Sequence, residues 1–247
     1  MIRVQEPTTI RFGSPHRHFE TTDSTNERAK FLAETGAPGG LVVTAGSQVA
    51  GRGRRGRSWF AGPGSSLLYS ALLRPLGDRP LLPLLVPLAV CDAAEELGDR
   101  TCKIKWPNDV WVDERKLAGV LIEGRPDADP ADSWAVIGIG LNLDLSDVGI
   151  PDDLEGRVAW LGRDVDHDLA LERLNRALES WLAASDSKIL EEFRRRDLLV
   201  GRDLEWDGGS GTARGIDDLG HLLVETGDET IALGAGEVSL GANLRGG

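Results

Sequence analysis

Strand-like patterns follow one another closely in residues 103–123 (KIKWPNDVWVDERKLAGVLIE) and in residues 133–143 (SWAVIGIGLNL), and they indicate the type of fold. The first opens with alternating polar and apolar side chains, which is the period of a β-strand. A Pro-Asn-Asp turn and a charged turn then set off two further short apolar runs, and residues 135–143 form the last run. Strands in such quick succession predict a largely antiparallel sheet.

Helical patterns lie on both sides of this sheet in the sequence. Ser24 and Glu27 have the spacing of a capping box, and with a stop signal at Gly36 they predict a helix over residues 26–35. Further helices are predicted over residues 84–97, 166–184 and 188–196, and further strands over residues 41–44 and 66–73. The fold class is therefore α+β, with a mixed, largely antiparallel central sheet flanked by helices.

The composition of the chain changes at Leu199-Val200-Gly201. Beyond this point, short strand-like runs alternate with glycine-rich turns to the end of the sequence. We therefore expect two domains, a main domain over residues 1–197 and a small β-barrel over residues 198–247.

The overall composition indicates a globular protein. Hydrophobic residues make up 40% and charged residues 28% of the 247 residues, which is too apolar for a disordered chain. A net charge of −12 opposes the wrapping of nucleic acid by a basic surface. The two cysteines lack the spacing of a zinc site or a disulfide framework, and the longest apolar run, residues 81–90, is too short to span a bilayer. We expect a cytoplasmic protein without a signal peptide or a membrane segment.

The segment from Gly46 to Gly64 predicts an exposed loop, and residues 51–57 (GRGRRGR) place four arginines in it. Guanidinium groups pair with carboxylate or phosphate, and the glycines between them let backbone amides approach the same anion. On this loop alone, an RNA-binding or solvated arginine tract is an equal alternative.

Residues 105–109 (KWPND) form a second polar cluster, at the end of a predicted strand. Lys103 and Lys105 share one face of the strand and could meet phosphate, although residues 107–109 alone are also typical of a simple turn. Lys116 precedes an apolar strand and points either into a cleft or to the surface. The glycines at 138 and 140 do not match the dinucleotide-binding fingerprint, which disfavours a Rossmann fold.

Taken in order, Ser24-Thr25-Asn26, Gln48 with residues 51–57, then residues 105–109, 115–119 and Gly140-x-Asn142 closely resemble the signature of biotin protein ligases. The resemblance covers most of residues 20–145. It implies a fold shared with lipoate ligases and class II synthetases, with an SH3-like C-terminal β-barrel. Only about 20 residues precede the first motif, so we expect the short form of the family, without an N-terminal DNA-binding domain.

The resemblance also implies a role for each matched residue. The expected biotin-binding residues are Ser24, Thr25, Asn26, Gln48, Gly51, Arg52, Gly53, Arg54, Lys116 and Gly119. The expected catalytic residues are Lys116, Arg52, Arg54 and Asp109. The expected nucleotide-binding residues are Arg55, Arg57, Trp59, Phe60, Lys105, Asn108 and Asn142. No metal-ligand set is assigned, because Mg²⁺ is expected to be held mainly by phosphates.

The activity implied is an ATP-dependent ligation in which biotin is adenylated and then passed to a lysine of a biotin carboxyl carrier protein, with release of AMP. ATP and Mg²⁺ are the expected cofactors, and a homodimer is a further possibility. A mobile loop at residues 51–57 fits this chemistry, since its arginines would neutralise two anions and the loop would exclude water from a labile adenylate. Trp134 and Trp160 do not align with the family's adenine-stacking aromatic residue, and Trp59 or Phe60 could supply one stacking face.

Three other functions remain open from the sequence. A lipoate ligase shares the expected fold, but it is not expected to carry the GRGRRGR and KWPND motifs. A nucleic-acid-binding module is opposed by the net charge. A biotin-binding regulator without catalytic activity is disfavoured by the intact Arg52, Arg54 and Lys116.

Overall fold

A computed structural model of the chain describes residues 10–125, 129, 132–227, 229–234, 236 and 238–240. Its elements, in chain order, are β1 (His16–Thr22), α1 (Thr25–Glu34), β2 (Val42–Gln48), β3 (Ser66–Leu73), α2 (Leu82–Leu97), β4 (Lys103–Lys105), β5 (Asp109–Val112), β6 (Arg115–Arg125), β7 (Trp134–Asn142), α3 (His167–Leu182), α4 (Asp186–Arg196), β8 (Asp203–Trp206), β9 (Gly209–Ile216), β10 (Leu222–Thr226), β11 (Glu229–Leu233) and β12 (Ser239–Leu240).

Seven strands form the main sheet in the order β1-β2-β3-β7-β6-β5-β4. Only β1 and β2 pair in parallel, and every other neighbouring pair is antiparallel. The predicted mixed, largely antiparallel sheet is therefore confirmed. All eight residues of β3 are buried, because this strand lies inside the sheet and is covered on both faces.

Helices cover both faces of this sheet. Alternate residues of β2, β3 and β7 join two separate apolar clusters, as expected when successive side chains point to opposite faces. On one face Ala29 and Ala33 of α1 pack against Val43 and Leu72. On the other face α2 and α3 supply much of the larger cluster, and α4 packs beside α2.

The helix predictions agree with the structure within two residues at each end. Two local predictions were wrong. Ser24 does occupy the N-cap of α1, but its side chain makes no capping hydrogen bond. Its backbone N–H donates to Asp23, and Glu27 pairs with Lys30 and Arg52 instead. The segment predicted as loop from Gly46 to Gly64 begins as strand, since β2 continues to Gln48 by pairing with β1.

The C-terminal part forms a five-stranded antiparallel sheet in the order β11-β10-β9-β8-β12. It packs against the main sheet and α2 through one continuous apolar core, and the indole of Trp106 donates a 3.0 Å hydrogen bond to the carbonyl of Gly220. The predicted division at residues 197 and 198 remains a prediction. Residues 1–9 and 241–247, the outer ends of the two predicted domains, lie outside the described residues.

Candidate active site

A cavity of about 230 Å³ opens above the middle of the main sheet. Its walls come from the start of α1, the end of β2, strands β3, β6 and β7, the arginine loop (residues 49–60), the turn before β5 and the segment that follows β7. The lining residues are Ser24, Thr25, Asn26, Gln48, Arg52, Gly53, Arg54, Arg57, Ser58, Trp59, Phe60, Leu68, Tyr69, Asn108, Lys116, Gly119, Val120, Leu121, Gly138, Ile139, Gly140, Asn142, Leu145, Leu154 and Val158.

Two glycines on neighbouring strands let an aromatic ring approach the sheet. A Cβ atom added to Gly140 would lie 2.3 Å from Cε2 of Trp59, and one added to Gly119 would lie 2.9 Å from its Cζ3. The Nζ atom of Lys116 is 5.5 Å from the centroid of the same ring, a distance at which a cation and an aromatic face attract each other. Trp59 therefore anchors the end of the arginine loop against β6 and β7.

One end of the cavity is polar and almost fully enclosed. The backbone N–H and the hydroxyl of Thr25 lie 2.7 and 3.1 Å from Oε1 of Gln48. The hydroxyl of Ser70 lies 2.8 Å from the Thr25 hydroxyl and 2.6 Å from Oδ1 of Asn26. Hydrogen-bonding groups in such a dry site discriminate strongly between ligands, because an unmatched ligand leaves them unpaired.

Two carboxylates and two cations join the arginine loop to this polar end. Arg52 forms an ion pair with Glu27 and lies 3.8 Å from Glu123, while Lys30 bonds Glu27 at 2.7 Å and Glu123 at 2.9 Å. Burial by itself raises the pKa of Glu123, but hydrogen bonds from Asn26 and Lys30 and the nearby positive charges outweigh it and leave the pKa lowered. Glu123 is therefore an anion at neutral pH.

A second pair of contacts lies at the end of β4 and the start of β5 and β6. Nζ of Lys116 is 2.8 Å from Oδ1 of Asp109, and Arg54 donates a 3.0 Å hydrogen bond to Oδ1 of Asn108. Asn142 is hydrogen-bonded through both amide atoms, since its Nδ2 donates to the Ala159 carbonyl and its Oδ1 accepts from Ser66. The contacts of Lys116 and Arg54 hold these two cationic groups at the cavity.

Most residues that the sequence predicted for the site do line the cavity. Four of them lie outside the lining, namely Gly51, Arg55, Lys105 and Asp109. Gly51 lies behind Trp59, and Arg55 pairs with Asp207 of the C-terminal sheet at 2.8 Å. Nζ of Lys105 lies 5.7 Å from the Trp111 ring, and Asp109 pairs with Lys116, which does line the cavity.

Several residues of the site escaped the sequence reasoning. These are Glu27, Ser70, Glu123, Gly138 and the apolar residues Leu145, Leu154 and Val158. The GIG pattern at 138–140 was the one available signal, because its glycines make room for the side chains of Asn26 and Trp59. Trp134 is buried in the smaller apolar cluster, and neither Trp134 nor Trp160 lines the cavity.

Comparison with protein families agrees with this geometry. The model described as the biotin/lipoate A/B protein ligase family matches residues 18–142, which hold most of β1, all of β2 to β7 and most of the cavity lining. The chain belongs to the biotin/lipoate A/B protein ligase family. A second model, the C-terminal domain of biotin protein ligase, matches residues 210–241.

Relatives within the biotin/lipoate ligase family cover nearly the whole chain. The biotin–[acetyl-CoA-carboxylase] ligase of Mycobacterium tuberculosis is 33% identical over 235 residues, with 88% of this chain and 85% of the relative covered. The bifunctional ligase/repressor BirA of Bacillus subtilis is 30% identical over 239 residues, with 91% and 73% covered. The Aquifex aeolicus biotin protein ligase in complex with biotin and ATP superposes with a TM-score of 0.77 at 28% identity, covering 91% of this chain and 97% of that one. These findings confirm the family resemblance and the fold class.

Proposed function

We propose that this protein is an ATP-dependent ligase that adenylates biotin and transfers the biotinyl group to a lysine of a biotin carboxyl carrier protein, releasing AMP. One observation carries the proposal: a single cavity joins an enclosed polar end, at Thr25, Asn26 and Gln48, to a group of cations, at Arg52, Arg54 and Lys116. The first end suits a ureido ring and the second suits a carboxylate beside a phosphate. The relatives named as biotin ligases support the same chemistry.

The first half-reaction joins two anions. An oxygen of the biotin carboxylate attacks the α-phosphorus of ATP, the bond to the β-phosphate breaks, and pyrophosphate leaves. Lys116, Arg52 and Arg54 would neutralise the charge on the carboxylate and on the phosphoryl oxygens as the new bond forms. When the substrates bind, Lys116 would leave Asp109 and Arg54 would leave Asn108, and both cations would contact the substrates instead.

The second half-reaction uses the neutral amine of the acceptor lysine. Its nitrogen attacks the carbonyl carbon of the mixed anhydride, the bond to phosphate breaks, and AMP leaves with the electron pair. The attacking nitrogen must lose a proton. Asp109, a carboxylate beside Lys116, is our proposed acceptor or orienting group for that amine.

ATP would arrive with Mg²⁺, and the residues present fit that ion only as a partner of the phosphates. Within the part of the chain that the structure describes, no group of three or more His, Cys, Asp or Glu side chains could hold a metal ion. Mg²⁺ commonly uses one or two carboxylates together with phosphates and water. Asp109 would supply one carboxylate oxygen, and the bound ion would neutralise phosphate charge.

The remaining nucleotide contacts are proposals of the same kind. Trp59 and Phe60 offer aromatic faces, and Arg57 and Asn142 line the cavity near them. Arg55 and Lys105 lie outside the lining, so a role for either requires movement of its side chain toward the phosphates.

The partner and location follow from the chemistry. The acceptor would be a folded biotin carboxyl carrier domain in the cytoplasm, where ATP is available. No helix among the described residues is long and apolar enough to cross a membrane. The exposed edge strand β1 is a candidate surface for a homodimer, and DNA binding is not part of the proposal because the net charge is −12.

Exchange of labelled pyrophosphate into ATP tests the proposal. We expect exchange with biotin, and no exchange with lipoate or octanoate, for the wild-type protein. Lys116→Ala should lower the rate at least about 100-fold, the range found when one group that stabilises transition-state charge is removed. Exchange with lipoate in place of biotin would establish the lipoate ligase alternative, and biotin binding without exchange would indicate a regulator.

A further inference from the structure

A buried chain of hydrogen bonds links the polar end of the cavity to Glu123, which does not line the cavity. Nδ2 of Asn26 donates to Oε2 of Glu123 at 2.9 Å and to the carbonyl of Leu121 at 3.3 Å. Oδ1 of Asn26 faces the hydroxyl of Ser70, which in turn faces the hydroxyl of Thr25. Asn26 and Thr25 are each 4% exposed and Ser70 is 0% exposed, so water does not substitute for the links among these three residues.

The direction of this chain follows from counting protons. Ser70 and Thr25 each have one hydroxyl proton, but their oxygens make three contacts: 2.6 Å to Asn26, 2.8 Å to each other and 3.1 Å from Thr25 to Gln48. Ser70 is the donor in both of its contacts, and because it has one proton, the shorter contact with Oδ1 of Asn26 takes most of it, while the Thr25 hydroxyl donates to Gln48. Oγ1 of Thr25 is then only weakly engaged as an acceptor, and Gln48 also accepts the backbone N–H of Thr25 at 2.7 Å.

A turned-over amide at Asn26 would redirect the Ser70 proton. Nδ2 of Asn26 would donate to Ser70, and the proton of Ser70 would go wholly to Thr25. Thr25 would then accept from Ser70 and would offer the ligand one lone pair fewer. The same turn would bring Oδ1 of Asn26 against the Glu123 carboxylate and the Leu121 carbonyl, which are both acceptors.

We propose that Glu123 is a positioning residue for substrate recognition, which holds the Asn26 amide in one orientation and thereby keeps Thr25 Oγ1 as an acceptor for an N–H group of the ligand. The inference rests on the proposed function, in which that N–H group belongs to the ureido ring of biotin. Lys30, at 2.9 Å from Glu123, and Arg52, at 3.8 Å, balance the charge of the carboxylate.

Two variants separate the acceptor from the ion pair. Glu123→Met removes the acceptor of Asn26 with little change in size, whereas the control Lys30→Met removes an ion pair of Glu123 and leaves the acceptor in place. In pyrophosphate exchange we expect Glu123→Met to raise the KM of biotin about tenfold without changing the KM of ATP, since a hydrogen bond to a charged group carries about that factor. We expect Lys30→Met to change the KM of biotin by less than about threefold, the scale of a partly exposed ion pair.

A double variant tests the chain itself. If Ser70→Ala breaks a later link of the same chain, the KM of biotin in Glu123→Met with Ser70→Ala should not exceed that of the worse single variant. The inference would be overturned if the two single effects on the KM of biotin multiplied in the double variant. It would also be overturned if Glu123→Met changed the KM of biotin and the KM of ATP equally, or if Lys30→Met were as impaired as Glu123→Met. Should Glu123→Met fail to fold, the isosteric Glu123→Gln replaces it, with a smaller rise that is again confined to biotin.

The side-chain amide of Asn26 gives a readout that does not depend on turnover. In ¹⁵N-labelled protein, its proton bonded to Glu123 should resonate downfield, and this shift should persist in Lys30→Met and disappear in Glu123→Met. An unchanged signal in Glu123→Met would overturn the inference even in an active enzyme. Absence of exchange by the wild-type protein with the shift intact would instead count against the proposed function alone.

Discussion

Gly140 leaves the space that Trp59 occupies. A Cβ atom at this position would lie 2.3 Å from the indole of Trp59. The indole packs on the sheet backbone and cannot simply rotate away. The absence of a side chain at one residue therefore decides where the end of the arginine loop rests.

Gly140→Ala should displace Trp59 and damage the cavity. Overpacking of this kind costs about 1–3 kcal/mol, so we expect kcat/KM for biotin to fall about 10- to 100-fold, with a lower midpoint of thermal unfolding. Gly149→Ala is the matched control, since nothing lies within 4 Å of its added Cβ. Equal activities of the two variants would show that Trp59 does not hold the site in shape.

The shape of the site depends on whether the arginine loop, residues 49–60, is closed over the cavity or open. The interior of the loop is fastened by Arg52 on Glu27, by Arg54 on Asn108 and by the Trp59 ring. The contact of Arg55 with Asp207 joins two exposed side chains and stabilises the loop little. A loop held by a few polar contacts opens easily, as lids over reactive intermediates do.

Trypsin should cut this loop readily without ligand and slowly with biotin and ATP. At a ligand concentration about 100 times Kd, binding stabilises the closed form by about 2.7 kcal/mol, so cleavage should slow about 100-fold. Cleavage after Arg100, in the turn between α2 and β4, serves as the internal control and should not change. Equal protection of the loop arginines and of Arg100 would indicate that the ligands stabilise the whole protein. If the ligands did not protect residues 52–57, the loop would not take part in ligand binding.

At the scale of the whole molecule, the junction between the two sheets contains a buried acid. Asp197 follows α4 and bridges to Ile104 of β4, immediately before the C-terminal strands. Burial raises its pKa to about 6, against smaller opposing effects of the Leu199 N–H and the charge of Lys103. Its folded pKa lies above the unfolded value, so its favourable contribution is complete below about pH 4 and is lost as the pH rises through about 6.

Asp197→Asn should abolish this pH dependence. Relative to the variant, the free energy of unfolding of the wild-type protein should decrease by up to about 3 kcal/mol between pH 4 and pH 7. Urea unfolding of both proteins across that range measures the difference, in which the titration of all other groups cancels. If the difference in the free energy of unfolding between the two proteins did not depend on pH, the pKa of Asp197 would lie near its ordinary value. The burial of this acid at the junction of the two sheets would then be contradicted.

The elements of the fold could be read from the sequence because their causes are local. Alternation in residues 103–106 and helical spacing in residues 166–184 reflect which side chains face a core, and both elements were predicted within two residues. The failed predictions were those that depend on a competing distant partner. The capping box at Ser24 did not form, since the Ser24 N–H donates to Asp23 and Glu27 pairs with the distant Arg52. Residues 46–48, predicted as loop, belong to β2 because they pair with β1.

Periodicity and motifs of neighbouring residues were sufficient to predict the order and kind of the elements, the family, and most of the residues around the cavity. They could not predict that Glu123 bonds Asn26, 97 positions away, or that Ser70 connects Asn26 to Thr25, which the folded chain shows. The folded chain also shows that Arg55 and Lys105 lie outside the cavity lining. The physical reason is that a hydrogen-bond or ion-pair partner depends on sheet order and register, which bring together residues that no local pattern relates.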